Sequence, residues 1–214
     1  MLFLFKALIS LLVVVNPIDS TIYFLTLTAD RPAEERRAIV HKAVTAATVF
    51  LLAAIWFGEL LLSLLGISIG AFAVGGGLMM LVMAMAMAML QARPSALERT
   101  PAETEEAAGR ESIAIVPLAM PLMVGPGVLS MAVLLADQAG GIGGRIGLTL
   151  VAGVVMGILW WLLRKAEPVV DWLGETGANV LIRIAGMILA AISVQIIADG
   201  LVQLFPGLAG LKMG

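Results

Sequence analysis

Long apolar blocks with few charges dominate this sequence and restrict the folds that it can adopt. Of its 214 residues, 61% are hydrophobic, and the mean hydropathy is +1.06. A soluble domain is about 45–50% apolar, whereas an apolar segment of about 20 residues can cross the hydrocarbon core of a bilayer as a helix. The sequence therefore predicts an all-α membrane protein with several transmembrane helices.

Six transmembrane helices can be drawn from the apolar blocks, over residues 2–29, 43–65, 67–90, 113–136, 146–163 and 178–205. The second and third are divided at Gly66, because one helix of about 45 residues would be much longer than a bilayer is thick. We predict a single transmembrane domain, 1–214. It consists of a first half (1–91), a charged cytoplasmic linker (92–112) and a second half (113–206).

The positions of lysine and arginine predict the orientation, since cytoplasmic loops carry an excess of both. Nine fall after the first, third and fifth predicted helices: Arg31, Arg36, Arg37, Lys42, Arg93, Arg99, Arg110, Arg164 and Lys165. Three fall on the opposite side: Lys6, Arg145 and Lys212. This bias predicts that both termini lie outside the cytoplasm.

The two halves share motifs at a constant separation. Asn16-Pro17 corresponds to Gly125-Pro126, and Gly77 corresponds to Gly186, each pair being 109 residues apart. Because each predicted half holds three transmembrane helices, the second copy would be inverted in the membrane relative to the first. Inverted repeats of this kind are a transporter architecture, with the substrate site near the middle of the membrane at the repeat interface.

Each half also interrupts its first apolar block with a helix-breaking motif. Proline lacks a backbone N–H and clashes with the preceding turn, but it suits the first position of a new helix. Asn16 is therefore predicted to be the N-cap of a half-helix that begins at Pro17, and Asp19 to complete a capping box with the Asn16 N–H. The second half offers Gly125 and Pro126. The alternative is a pair of proline kinks that only shape helix packing.

A broken helix in a membrane leaves backbone N–H groups unpaired and presents the positive end of a helix dipole. Such a backbone is tolerated only where it faces protein or a water-filled cavity. Two half-helix N-termini that meet from opposite sides would suit an anionic group such as a carboxylate. The predicted substrate-binding residues are Asn16, Pro17, Ile18, Asp19, Gly125, Pro126, Gly127, Gly76, Gly77 and Arg183.

Three of these predictions have alternatives. Asp19 is either a permanently ionised cap or a titrating group that couples transport to protons, and the two roles are compatible. Arg183 either extends to the cytoplasmic interface or pairs with a carboxylate inside the bundle. Gly76 and Gly77 either permit close helix packing or mark an unwound stretch that exposes carbonyls.

The sequence resembles the MarC family of integral membrane proteins, which includes transporters of neutral amino acids. The matching segments are VVNPI, FLTLT, GISIGAFAVGGGLMML, IVPLAMPLMVGPG and IRIAGMILAAISVQII, which start at residues 14, 24, 66, 115 and 182. This resemblance implies a multi-pass protein of the bacterial inner membrane that moves small neutral amino acids such as glycine or alanine, coupled to an ion gradient. Asp19 stands where the resemblance leads us to expect a glycine, which leaves the substrate open.

The remaining composition narrows the function classes. The chain has no cysteine and one histidine, His41, so we expect no metal site, no cofactor and no enzymatic activity. No P-loop or basic stripe suggests ATP hydrolysis or nucleic-acid binding. We therefore expect a secondary transporter whose partners are an amino acid, a coupling ion or proton, and the lipid bilayer. The alternatives are an ion channel, an exporter of another small solute, and a non-transporting membrane subunit.

Overall fold

The computed structural model describes residues 2–28, 31–89 and 124–207, and all regular structure in these ranges is helical. Seven helices are observed there: α1 (Leu2–Val15), α2 (Pro17–Leu27), α3 (Ala33–Leu64), α4 (Ile69–Ala88), α5 (Pro126–Gln138), α6 (Ile142–Arg164) and α7 (Ala166–Leu204). The predicted linker at 92–112 and the first part of the fourth predicted helix, residues 113–123, lie outside the described residues.

Five segments within the described ranges are long and apolar enough to cross a membrane. They are Leu2–Leu25, Ala33–Leu64, Ile69–Ala88, Ile142–Arg164 and Thr176–Leu204. The first of them combines α1 and α2. Helix α5 has 13 residues, about 20 Å at 1.5 Å per residue, and covers only the end of the fourth predicted span. The architecture that the described residues support is therefore an all-helical membrane protein with five candidate spans.

The predicted turn between the second and third spans is confirmed. Helix α3 ends at Leu64, and Gly66 adopts a left-handed conformation with φ of 69°. Helix α4 then starts after Ser68, whose hydroxyl oxygen accepts a hydrogen bond from the Ala71 N–H at 3.2 Å. This is an N-cap, and it satisfies one of the donors that the start of a helix leaves free.

Two helices begin well before the apolar spans predicted within them. Helix α3 begins at Ala33 rather than at residue 43, because the charged stretch before the apolar block is itself helical and places Glu34 and Glu35 at the positive helix start. Helix α7 begins at Ala166, whereas its candidate membrane span starts at Thr176, close to the predicted residue 178. It bends at Gly174, where φ is 65°, so its apolar part starts at Thr176. Hydropathy detects where a span is apolar, not where a helix begins.

The broken first span lies inside the bundle. Its α1 segment packs against α5 and α6, and its α2 segment packs against α6 and α7. Helices α4 and α7 form the most extensive helix contact. Apolar side chains also cover the outside of the bundle, for example Phe57, Met79 and Leu150. Between lipid-exposed helices, close packing rather than exclusion of water stabilises the assembly.

Candidate functional site

The chain breaks its first span at Asn16, as predicted. Asn16 is only 4% exposed and has φ of 44° and ψ of 73°, a left-handed conformation that asparagine tolerates better than most residues. Its N–H donates to the Leu12 carbonyl at 3.0 Å, which completes α1, and its carbonyl accepts from the Ser20 N–H at 3.1 Å, which starts α2. Pro17 is the first helical residue, where its missing N–H costs no hydrogen bond.

The polar side chains at this break differ from the predicted capping box. The Asn16 N–H, which the prediction assigned to Asp19, has the Leu12 carbonyl as its acceptor. The Asn16 side chain does not cap α2; its amide nitrogen lies 3.9 Å from the Met87 sulfur on α4. Asp19 is 7% exposed and lies in the first turn of α2, where the helix dipole favours a negative charge.

Two hydroxyl groups at the first break were not singled out from the sequence. Ser20 donates to the Val15 carbonyl at 3.3 Å, and Thr21 donates to the Pro17 carbonyl at 2.7 Å. The Ser20 hydroxyl thereby satisfies a carbonyl that the end of α1 leaves without an intrahelical donor. Both side chains are buried. The sequence pattern that could have indicated them is the uninterrupted polar run of Asp19, Ser20 and Thr21 within an apolar block.

The second predicted break also begins a helix. Gly125 is extended, with φ of −78° and ψ of 177°, and Pro126 is the first residue of α5. The Leu129 N–H donates to the Gly125 carbonyl at 3.1 Å. The N–H groups of Gly127 and Val128 precede that first bond and therefore have no intrahelical acceptor. This helix start offers main-chain donors, and Gly125 has no side chain to cap them.

Helix α4 connects the two breaks. The Asn16 amide contacts Met87, and a side chain at Gly127 would come within 2.6 Å of the Met80 Cγ atom. Met80 and Met87 are both buried and lie two turns apart on one face of α4, about 10 Å along the axis at 1.5 Å per residue. The two predicted half-helix starts are therefore close in space, as the matching motifs predict, whereas the contact of α4 with both was not predicted.

A cavity of about 750 Å³ adjoins the second break. Its lining includes Phe72, Gly75, Gly76 and Met79 of α4, together with Pro126 and Ser130 of α5. Among the described lining residues Ser130 has the only polar side chain, and its hydroxyl has no hydrogen-bond partner in the same part of the chain. Pro126 and Gly76 are thus brought together, whereas Asn16 and Asp19 are not among the lining residues.

The glycines at 76 and 77 are close-packing positions in a continuous helix. Gly76 lies against Ser130 of α5, with no room for a Cβ atom. A Cβ atom at Gly77 would be 3.1 Å from the Ser193 carbonyl oxygen and 2.7 Å from the Ile197 Cγ1 atom on α7. Helix α4 runs without interruption through both, so the predicted unwound stretch is not observed. Gly75 faces open space.

Arg183 is separate from the two breaks. It is exposed on α7, is not among the cavity-lining residues, and has no hydrogen bond or ion pair with any residue that the structure describes. Arg183 is therefore not brought to the cavity at Pro126, and its extension to the membrane interface stays a prediction.

Two interhelical ion pairs lie near the ends of α3. Arg36, in the first turn, pairs with Glu167 of α7 and donates to the Thr28 carbonyl through Nε at 2.9 Å. Glu59, near the other end, pairs with Arg145 of α6. The neighbouring Trp56 donates to the Thr149 hydroxyl at 3.1 Å. These contacts tie α3 to α6 and α7 at both ends of the bundle.

Comparison with known proteins agrees with this architecture. The family model described as MarC family integral membrane protein matches residues 1–205. The UPF0056 membrane protein YhcE of Escherichia coli is 34% identical over 204 residues, covering 95% of this chain and 94% of that protein. A UPF0056 membrane protein of Methanocaldococcus jannaschii is 35% identical over 192 residues, covering 90% and 92% of the two chains.

A third relative, the UPF0056 membrane protein YvbG of Bacillus subtilis, is 32% identical over 205 residues, covering 95% of this chain and 96% of that protein. No solved structure matches the chain. The matches extend through both helix breaks and the α4–α7 contact. By sequence and by its several apolar helices, this chain belongs to the MarC family of integral membrane proteins.

Proposed function

We propose that this protein is a secondary transporter of small neutral amino acids, such as glycine or alanine, in the bacterial inner membrane. The observation that carries the proposal is the pair of half-helix starts, at Asn16-Pro17 and Gly125-Pro126, on one face of α4. Helix starts attract anions through unpaired N–H groups and the helix dipole. Buried breaks of this kind are typical of substrate sites in transporters.

The cavity at Pro126 is open toward the outer surface at Met79, and it offers space for a small solute next to the second helix start. Its volume of about 750 Å³ lies within the range of small-molecule sites, about 300–1,000 Å³. Its mostly apolar lining suits a substrate with a small aliphatic side chain. In this proposal the carboxylate reaches the Gly127 and Val128 N–H groups at the start of α5, between the lining residues Pro126 and Leu129. The Ser130 hydroxyl is a second donor.

The proposal includes two inverted repeats. A Cβ atom at Gly77 would meet Ser193 and Ile197, and one at Gly186 would meet Ala84 and Ala88. Ser193 and Ile197 follow Ala84 and Ala88 by 109 residues, as Gly186 follows Gly77 and Pro126 follows Pro17. Each glycine thus contacts the counterparts of the residues that contact the other glycine. A two-fold axis between two halves produces reciprocal contacts of this kind. Rocking of one half against the other would expose the site to each side in turn.

Asp19 is the proposed coupling residue. It is buried in the first turn of α2 beside Ser20 and Thr21, and acids at such positions in membrane proteins often belong to ion or proton pathways. In this proposal the orientation follows the arginine bias, with both termini outside the cytoplasm. The protein carries out no catalytic step and needs no bound cofactor.

The test is uptake of labelled alanine and glycine into proteoliposomes, with and without a pH gradient. We compare the natural protein with Asp19→Asn and with Asp137→Asn, a matched control at the exposed end of α5. Gradient-driven uptake that is lost only in Asp19→Asn would support a proton-coupled transporter. Uptake that survives in Asp19→Asn would assign the coupling to another residue.

Two further results would contradict the proposal. Full uptake by Asn16→Val and by Gly127→Val would show that neither helix start is needed. A substrate-dependent current without counterflow exchange would indicate a channel, because only a carrier exchanges labelled for unlabelled substrate through one alternating site.

A further inference from the structure

A second, smaller pocket with a basic lining lies at the arginine-rich end of the molecule. Its volume is about 150 Å³, and it is found where the end of α2, the first turns of α3 and the α6–α7 junction meet. The charged side chains in its lining are Arg36, Arg37, Arg164 and Glu167. We call it the basic pocket. It shares no lining residue with the cavity at Pro126.

One of its three arginines is used in contacts that hold the helices together. Arg36 pairs with Glu167 and donates to the Thr28 carbonyl. These contacts fix the guanidinium group between α2, α3 and α7. They also occupy Glu167, the only acidic side chain among the described lining residues, so it does not neutralise the other two arginines.

The other two guanidinium groups keep N–H donors that no described residue uses. The Arg164 Cζ atom lies 4.7 Å from the centre of the Trp160 ring, a cation–π contact. Within the described ranges Arg164 makes no hydrogen bond or ion pair. Arg37, on α3, makes no hydrogen bond or ion pair within the described ranges. Two positive charges from two helices therefore border one small pocket, and no acidic side chain in the described part of the chain pairs with them.

We propose that the basic pocket binds a phosphate group, which an anionic phospholipid presents. Guanidinium groups bind phosphate oxygens through paired, charge-assisted hydrogen bonds, and basic pockets between membrane helices bind anionic headgroups. Trp161 and Trp172 on the adjoining segments are 56% and 85% exposed, as expected of anchors at the membrane interface. The pocket holds a phosphate, and the acyl chains lie along the exposed apolar surface outside it.

The test is thermal unfolding of the full chain in detergent, followed by the fluorescence of its four tryptophans. Phosphatidylglycerol, phosphatidylcholine and inorganic phosphate are added separately. A ligand that binds the folded state raises the unfolding midpoint. We expect phosphatidylglycerol to raise it, and phosphatidylcholine to have little effect. We also expect Arg37→Gln and Arg164→Gln each to reduce the phosphatidylglycerol effect to less than half.

Arg31→Gln is the matched control, because it removes one positive charge at the same end but outside the pocket, where Arg31 pairs with Glu35 at 3.2 Å. An equal loss in Arg31→Gln would overturn the proposal in favour of general charge attraction. If inorganic phosphate raises the unfolding midpoint as much as phosphatidylglycerol does, and Arg37→Gln abolishes that rise, the pocket binds phosphate. The proposal that a phospholipid presents the phosphate would then be overturned. No rise with either ligand would overturn both. Unfolding midpoints in phosphatidylcholine show whether the variants are folded.

Discussion

Gly77 of α4 and Gly186 of α7 each lie against the main chain of the opposite helix. A Cβ atom at Gly77 would be 3.1 Å from the Ser193 carbonyl oxygen, and one at Gly186 would be 2.9 Å from the Ala84 carbonyl oxygen. Main-chain atoms cannot rotate away as a flexible side chain can. The two helices can therefore approach this closely only while both positions remain glycine.

Gly186→Ala is expected to destabilise the protein, because the new methyl group would also lie 2.8 Å from the Ala88 nitrogen. Overpacking of this kind costs about 1–3 kcal/mol. Gly75→Ala is the matched control, since a Cβ atom there meets nothing within 4 Å. The free energy of unfolding is measured in mixed micelles for both variants. Equal stability of the two variants would contradict the close α4–α7 contact.

Substitutions of Asn16 should separate its backbone conformation from its side chain. With φ of 44°, a β-branched residue is strained there by roughly 1–3 kcal/mol, whereas glycine adopts this conformation freely. We expect Asn16→Val to lower the free energy of unfolding and Asn16→Gly to change it little. If both variants are equally destabilised, the contact between the Asn16 amide and the Met87 sulfur is the dominant contribution.

We expect Glu59 and Arg145, which form an ion pair, to be energetically coupled to each other. The Arg145 Nε atom is buried and has no hydrogen-bond partner among the described residues, so loss of Glu59 leaves a poorly solvated guanidinium group. A double-mutant cycle with Glu59→Gln and Arg145→Met is expected to give a coupling free energy of about 1 kcal/mol. The Arg31–Glu35 pair has a similar exposure and joins the residue before Pro32 to the first turn of α3. It has no such buried nitrogen and is the control, expected at about 0.5 kcal/mol. Equal coupling in both pairs would contradict this prediction.

The orientation can be tested directly, because the natural chain has no cysteine. Glu34→Cys and Gly143→Cys each place a thiol at an exposed position, at the starts of α3 and α6. We expect an impermeant thiol reagent to label Gly143→Cys in intact cells and Glu34→Cys only after permeabilisation. The reverse pattern would overturn the orientation predicted from the arginine bias, and labelling of both in intact cells would contradict the antiparallel course of α3 and α6.

Local stereochemistry explains which features the sequence could predict. The helix starts at Pro17 and Pro126 and the turn at Gly66 follow from what proline and glycine do to a backbone, and all three are observed. The contact of Asn16 with Met87, and of Gly127 with Met80, depends on how α4 packs against segments far away in the chain. Periodicity within one helix carries no information about that packing.

The bend at Gly174 and the two ion pairs of α3 were missed for a related reason. Gly174 lies outside the apolar block, so hydropathy does not predict a bend there. Its φ of 65° is nevertheless one that glycine favours. Glu59 and Arg145 are 86 residues apart in sequence. Pairing between them becomes visible only when α3 and α6 are placed side by side.

The order in which the helices are synthesised gives the α4–α7 contact a consequence for assembly. Gly186 leaves the ribosome 109 residues after Gly77, a delay of roughly 5–20 s at about 5–20 residues per second. During that interval the small-residue surface of α4 is already in the membrane without its final neighbour. A chain stalled before α7 would therefore present this surface to the insertion machinery and to quality-control proteases, and release of the last helix would complete the core.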